Sequence, residues 1–130
     1  LDQKLLQVRV PVRIDSDLYN LFLEGGRWKS ATGGEPDKAE LENLLAALKD
    51  LQVDGIANED LPRDLATVED ELVLNIQSLA AEVTLEVMTW NNQHFIHSSE
   101  FPLFFKLSPY DFGRLTEVDA RLISGEDSGH

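Results

Sequence analysis

Val83-Thr84-Leu85-Glu86-Val87-Met88-Thr89-Trp90-Asn91-Asn92-Gln93-His94-Phe95-Ile96-His97-Ser98 is the stretch from which the rest of the chain is read. Up to Trp90 it alternates apolar and polar side chains, the period of a strand with one buried face. Asn91-Asn92 then interrupts, and asparagine tolerates the positive φ that a two-residue primed turn demands. The pattern predicts a hairpin that returns along residues 93–98. Counting outward from the turn pairs Trp90 with Gln93, Met88 with Phe95, and Glu86 with His97 across the ladder.

Further strands extend the sheet on both sides. Upstream, Leu72, Leu74 and Ile76 alternate with Val73, Asn75 and Gln77, and the short link at residues 78–81 makes this strand an antiparallel neighbour. Downstream, residues 101–107 read as a last, strongly apolar strand. Ser108-Pro109-Tyr110-Asp111 opens a short helix, with serine as the cap, proline in the first turn and Asp111 completing the box; Phe112 and Leu115 should dock it inward. At the other end, residues 6–14 alternate as a strand that Pro11 assigns to a sheet edge. The turn Asp15-Ser16-Asp17, a strand over residues 18–24 and Gly25-Gly26 make a hairpin. Arg27-Trp28-Lys29 follows as a third strand, with Trp28 read as a core residue rather than a ligand platform.

Between the two groups of strands lies a helix over residues 36–52. Asp37 is its N-cap and Glu40 the capping-box partner. Leu41, Leu44, Leu45, Leu48 and Leu51 form one apolar stripe, which packs on the sheet. Residues 53–57 suggest a short strand. Residues 58–70 carry Glu59, Asp60, Asp64, Glu69 and Asp70 against Arg63, a solvated loop; the glycine and glutamate of a calcium-binding loop are missing. The fold class is therefore α+β: a mostly antiparallel sheet with one amphipathic helix on one face and a short C-terminal helix. Residues 1–115 are expected to form one domain, and residues 116–130 a polar, flexible tail.

The chain has 130 residues, no cysteine, and 24 acidic against 11 basic side chains, a formal charge of -13. Disulfides and thiolate metal sites are excluded. Nucleic-acid binding needs clustered cations to displace phosphate counterions, and the basic residues here are scattered, so no nucleic-acid partner is expected. No apolar run is long enough to insert in a bilayer. The chain starts at Leu1 without a signal-like segment, so any membrane anchor is expected upstream.

Little in the sequence points to chemistry. Glu86 and His97 would face each other as an ion pair, and Ser99 lies two residues further on the same face, so a hydrolase triad is the sharper reading. No glycine-rich elbow accompanies Ser99, and a solvated pair is the simpler reading. His94 and His97, three apart on a strand, point to opposite faces and cannot share one metal ion. Gly25-Gly26 and Gly33-Gly34 lack the pattern of a phosphate cradle, so no cofactor, metal or catalytic residue is assigned. Phe101, Phe104, Phe105, Tyr110 and Phe112 cluster late in the chain and are the candidate partner surface. Phe104-Phe105 puts one ring on each face of the sheet.

Gly25-Gly26-Arg27-Trp28, the Asp37-capped leucine helix with Leu51-Gln52-Val53 after it, and the closing run from Phe101 through Phe105-Lys106-Leu107-Ser108-Pro109-Tyr110 to Leu115 occur in an order that resembles domain-of-unknown-function family 4340. Members are similar in carrying a Gly-x-Trp strand, a Leu-Leu-x-x-Leu helix and a Phe-x-Leu-Ser-x-Tyr segment before a short helix. The likeness spans residues 8–115. It implies an α+β domain, often repeated in a longer chain and held outside the cytoplasmic membrane by an N-terminal anchor. Some relatives look like auxiliary subunits of ABC-type permeases of the gliding-motility class. It implies no catalytic residue. The expectation is a non-enzymatic, extracytoplasmic accessory module with a protein partner in a membrane-associated assembly. The alternatives are a subunit of a soluble complex bound through residues 101–112, and a small hydrolase using Glu86, His97 and Ser99.

Overall fold

A computed structural model describes residues 6–8, 10–57, 69–79 and 81–125. Its elements are, in chain order, β1 (Pro11–Asp15), β2 (Asn20–Glu24), β3 (Arg27–Ser30), α1 (Lys38–Lys49), β4 (Val53–Ile56), β5 (Glu69–Ser78), β6 (Glu82–Trp90), β7 (Gln93–Ser98), β8 (Phe104–Leu107), α2 (Pro109–Thr116) and α3 (Ala120–Ile123). The strands make one eight-stranded sheet in the order β3-β2-β1-β5-β6-β7-β8-β4, with every neighbouring pair antiparallel. The protein is thus α+β with an antiparallel sheet.

The hairpin that anchors the sequence reading forms in the expected register. Asn91 and Asn92 have φ of 52° and 62°, and Glu86 lies opposite His97, Met88 opposite Phe95, and Trp90 opposite Gln93. These positive values give the turn a twist matching that of the flanking strands. One face of the sheet supplies Ile14, Leu21, Leu74, Ile76, Leu85, Val87, Ile96 and Phe105 to the main core. Leu44 and Leu48 of α1, Leu115 of α2 and Ile123 of α3 complete the same cluster, so the helices share one face. Each of these side chains is at most 1% exposed, and fully burying one stabilises the fold by about 1.5–3 kcal/mol before the entropy of ordering it. On the opposite face Ala57, Met88 and Phe95 form a smaller cluster, against which Trp90 and Phe104 pack.

Several expectations are corrected. Pro11 does not mark an edge: β1 lies between β2 and β5. The proline is tolerated because it is the first residue of the strand, where the register to β5 shifts between Pro11 and Arg13 and no regular ladder bond from its nitrogen is required. Leu6 and Val8 are buried but precede the strand. The helix over residues 36–52 ends earlier, at Lys49, with Asp50 as C-cap, and Leu51 is buried beyond it.

The capping box forms by half. Asp37 accepts from the Glu40 amide at 3.1 Å, but the Asp37 amide donates to Leu122 and Glu40 accepts from the Asp119 amide. The last strand begins at Phe104 rather than Phe101, and β5 begins at Glu69 rather than Leu72. The rest of the expected acidic loop, residues 58–68, lies outside the described residues. The core also continues past Leu115: α3 follows, with Ile123 fully buried, where a polar tail was expected. Residues 126–130 lie outside the described residues.

Candidate functional site

A short helix cannot hold itself in water, because nucleation costs more than its few hydrogen bonds return. The eight-residue α2 is therefore fixed by its surroundings. At its start the Ser108 hydroxyl accepts from the Asp111 amide at 3.1 Å, and Pro109 occupies the first turn. The Asp111 carboxylate accepts from the Gln52 backbone N–H and so ties α2 to the connection between α1 and β4. Burial pushes this carboxyl above its usual range, against the lowering effects of Arg114 and of its hydrogen bonds with Ser108 and Gln52; the nearby Asp54 raises it further. At the far end, the buried Tyr19 hydroxyl donates to the Leu115 carbonyl at 3.0 Å.

So anchored, α2 packs its Leu115 side inward and turns Tyr110 outward, 70% exposed. The Arg114 guanidinium lies 5.2 Å from the centre of that ring, within cation–π range. Between α1 and α2 runs a groove of about 510 Å³, lined by Glu40, Asn43, Tyr110, Gly113, Glu117 and Val118 together with Pro109 and Arg114. The lining thus carries two carboxylates, one guanidinium and a phenol ring. The Glu40 carboxylate is steadied by the Asp119 amide at 3.2 Å.

The five aromatic residues expected to form a partner surface are distributed among different environments. Phe105 is 1% exposed in the main core, with Phe101 edge-on to it at 6.4 Å. Phe112 is half-buried and stacks on His94 at 3.8 Å, while Phe104 lies on the other face of the sheet, stacked on His97 at 4.8 Å. Tyr110 is the most exposed of the five. Glu86 and His97 are brought together, with Oε1 and Nδ1 3.5 Å apart on partly exposed side chains. Ser99 instead caps the ladder end, its hydroxyl accepting from the Thr84 amide at 2.9 Å. His94 points to the helix-covered face, where Nδ1 and the Thr89 hydroxyl share a 3.0 Å hydrogen bond, and His97 points to the opposite face. Among the described residues no group of three or more histidine or acidic side chains is placed to hold a metal ion.

The groove itself was not foreseen. Its clearest sequence signal is Asp119, which caps α3 by accepting from the Arg121 and Leu122 amides and so brings the segment after α2 back beside Glu40. Compared with protein-family models, curated proteins and solved structures, the chain matches none.

Proposed function

We propose that the protein is a non-catalytic binding module of a membrane-associated, extracytoplasmic assembly, and that the α1–α2 groove receives a basic segment of a protein partner. The observation that carries this reading is Tyr110, a large amphipathic ring held 70% exposed on a helix pinned at both ends, beside a groove whose lining also carries the carboxylates of Glu40 and Glu117. Tyrosine anchors contribute disproportionately at interfaces, because they bury much area while immobilising few torsions. The formal charge of -13 attracts a cationic partner at long range and speeds encounter. Arg114 already lies against the Tyr110 ring, the kind of contact an incoming arginine or lysine would make.

The test is site-specific photocrosslinking. The full-length gene product carries a photoreactive phenylalanine analogue at position 110 or, as control, at the still more exposed Leu79, and is irradiated in its native membrane fraction. The reading expects one defined protein adduct from position 110, absent from position 79 and lost with Glu40→Gln and Glu117→Gln together. No adduct, or the same adducts from both positions, overturns it.

A further inference from the structure

Four of the residues that line the α1–α2 groove stand on one side of α2 and its cap. Tyr110, Gly113, Arg114 and Glu117 fall at i, i+3, i+4 and i+7, the spacing of neighbours on a helix surface. Gly113 presents no side chain there, and the Glu117 carboxylate folds back over it: a Cβ at 113 would lie 3.2 Å from Oε2. An exposed phenol ring, a bare turn, a cation and a carboxylate thus follow one another along the groove.

The cation has two stations on its own helix. The Arg114 guanidinium carbon lies 5.2 Å from the centre of the Tyr110 ring, which is otherwise exposed. Arg114 also interacts with the mostly buried Asp111 carboxylate, lowering its pKa against the raising effect of burial. The groove of an acidic protein therefore meets solvent with its aromatic anchor covered in part by a basic side chain of the same chain.

We propose that Arg114 is an internal competitor for the groove: in the free protein its guanidinium occupies the Tyr110 ring, and an arginine of the partner displaces it on binding. This rests on the reading that the groove takes a basic segment, and adds what holds that site back. One face of the ring holds one guanidinium at a time, so Arg114 and an incoming arginine exclude each other there. Displacement strands no charge, because the Asp111 carboxylate already attracts Arg114 from the residue next to Tyr110. An exposed cation–π contact leaves the ring free about 15–30% of the time, so self-occupancy should weaken an arginine ligand by about three- to sixfold.

The test is an NMR titration of the intact chain with the acetylated and amidated tripeptide Gly-Arg-Gly, on the parent, Arg114→Gln, Tyr110→Leu and the double variant. The affinity gain from Arg114→Gln should be about three- to sixfold larger with Tyr110 present than in the Tyr110→Leu background, where only the loss of a positive charge acts. In the parent, the Arg114 side-chain protons start shifted upfield by the ring beside them and should return towards unstacked positions as the peptide saturates. Equal gains in the two backgrounds, or Arg114 protons that keep their ring-current shift at saturation, overturn the proposal and leave the groove reading standing. Absence of saturable shifts in both the parent and Arg114→Gln overturns it too, and crosslinking at position 110 then tells whether the groove reading falls with it. Should Arg114→Gln lose its fold, the side-chain shifts of the unmodified chain decide alone.

Discussion

Tyr19→Phe isolates a single oxygen. The side chain is 2% exposed, and its hydroxyl bridges the β1–β2 turn to the last turn of α2 by donating to the Leu115 carbonyl at 3.0 Å. The final carbonyls of a helix have no partner within it, and the amide four residues on, that of Asp119, is committed to Glu40. Phenylalanine fills almost the same volume, so the packing term is small and the loss is that of a buried acceptor left without its donor, about 1–3 kcal/mol. For a chain of 130 residues each kcal/mol moves the melting temperature by about 4 °C, giving an expected fall of about 4–12 °C in calorimetry.

The pH dependence gives an independent sign. Burial pushes the Tyr19 phenol well above its ordinary value of 10.0. The folded state keeps the proton where the unfolded chain releases it, so this contribution to stability is full below about pH 10 and is lost as pH rises through the folded value. Phenylalanine has no proton to lose, so the gap between the two proteins should narrow above pH 10. A melting temperature within 1 °C of the parent at pH 7, or a gap that widens in alkali, refutes this account of how α2 is held.

Other perturbations probe the remaining contacts. Asn92→Gly should stabilise by about 0.5–1 kcal/mol in urea unfolding, because Asn92 sits at φ 62° and glycine meets no steric penalty there. Gly125→Ala should destabilise by about 2 kcal/mol or more on the same assay: φ is +78°, and a Cβ would lie 2.5 Å from the Glu35 carbonyl. Asp111→Asn keeps an acceptor for the Gln52 amide but removes a carboxylate that burial disfavours, so at pH 7 its urea midpoint should match or exceed the parent's. As the folded carboxyl titrates above its ordinary value of 3.8, the parent regains stability as pH falls through that raised value, and the two midpoints should converge towards pH 4.

What was legible in the sequence follows from how local each signal is. The Asn91-Asn92 turn, the Asp37 and Ser108 caps and the register of β6 with β7 depend on residues within a few positions of one another, and all formed as read. Pro11 misled because a local rule about missing donors does not say which strand will arrive on its other side; β5, more than fifty residues later, did. Glu40 stands three residues after Asp37, the spacing of a capping box, whereas the Asp119 amide reaches its carboxylate across 79 positions. The five aromatics were grouped by sequence proximity, but alternation along β8 sends Phe104 and Phe105 to opposite faces, and the register of β7 draws His97 and His94 apart in the same way.

The proposed groove depends on how α2 is held at both of its ends. Its first turn is tied through Asp111 to Gln52 and its last carbonyls through Tyr19 to the β1–β2 turn, while Leu115 is fully buried and Phe112 is stacked on His94. The chain beyond it is latched in turn: the Asp37 amide donates to Leu122, the Thr32 hydroxyl donates to Ser124, and Gly34 and Gly125 approach so closely that a Cβ on either would collide with backbone. A helix pinned at both ends presents Tyr110 already in place, so an occupant of the groove spends little of its binding energy on ordering the protein. Loosening one anchor should therefore weaken a partner that never touches it, which makes Tyr19→Phe, outside the groove lining, a perturbation of binding as well as of stability.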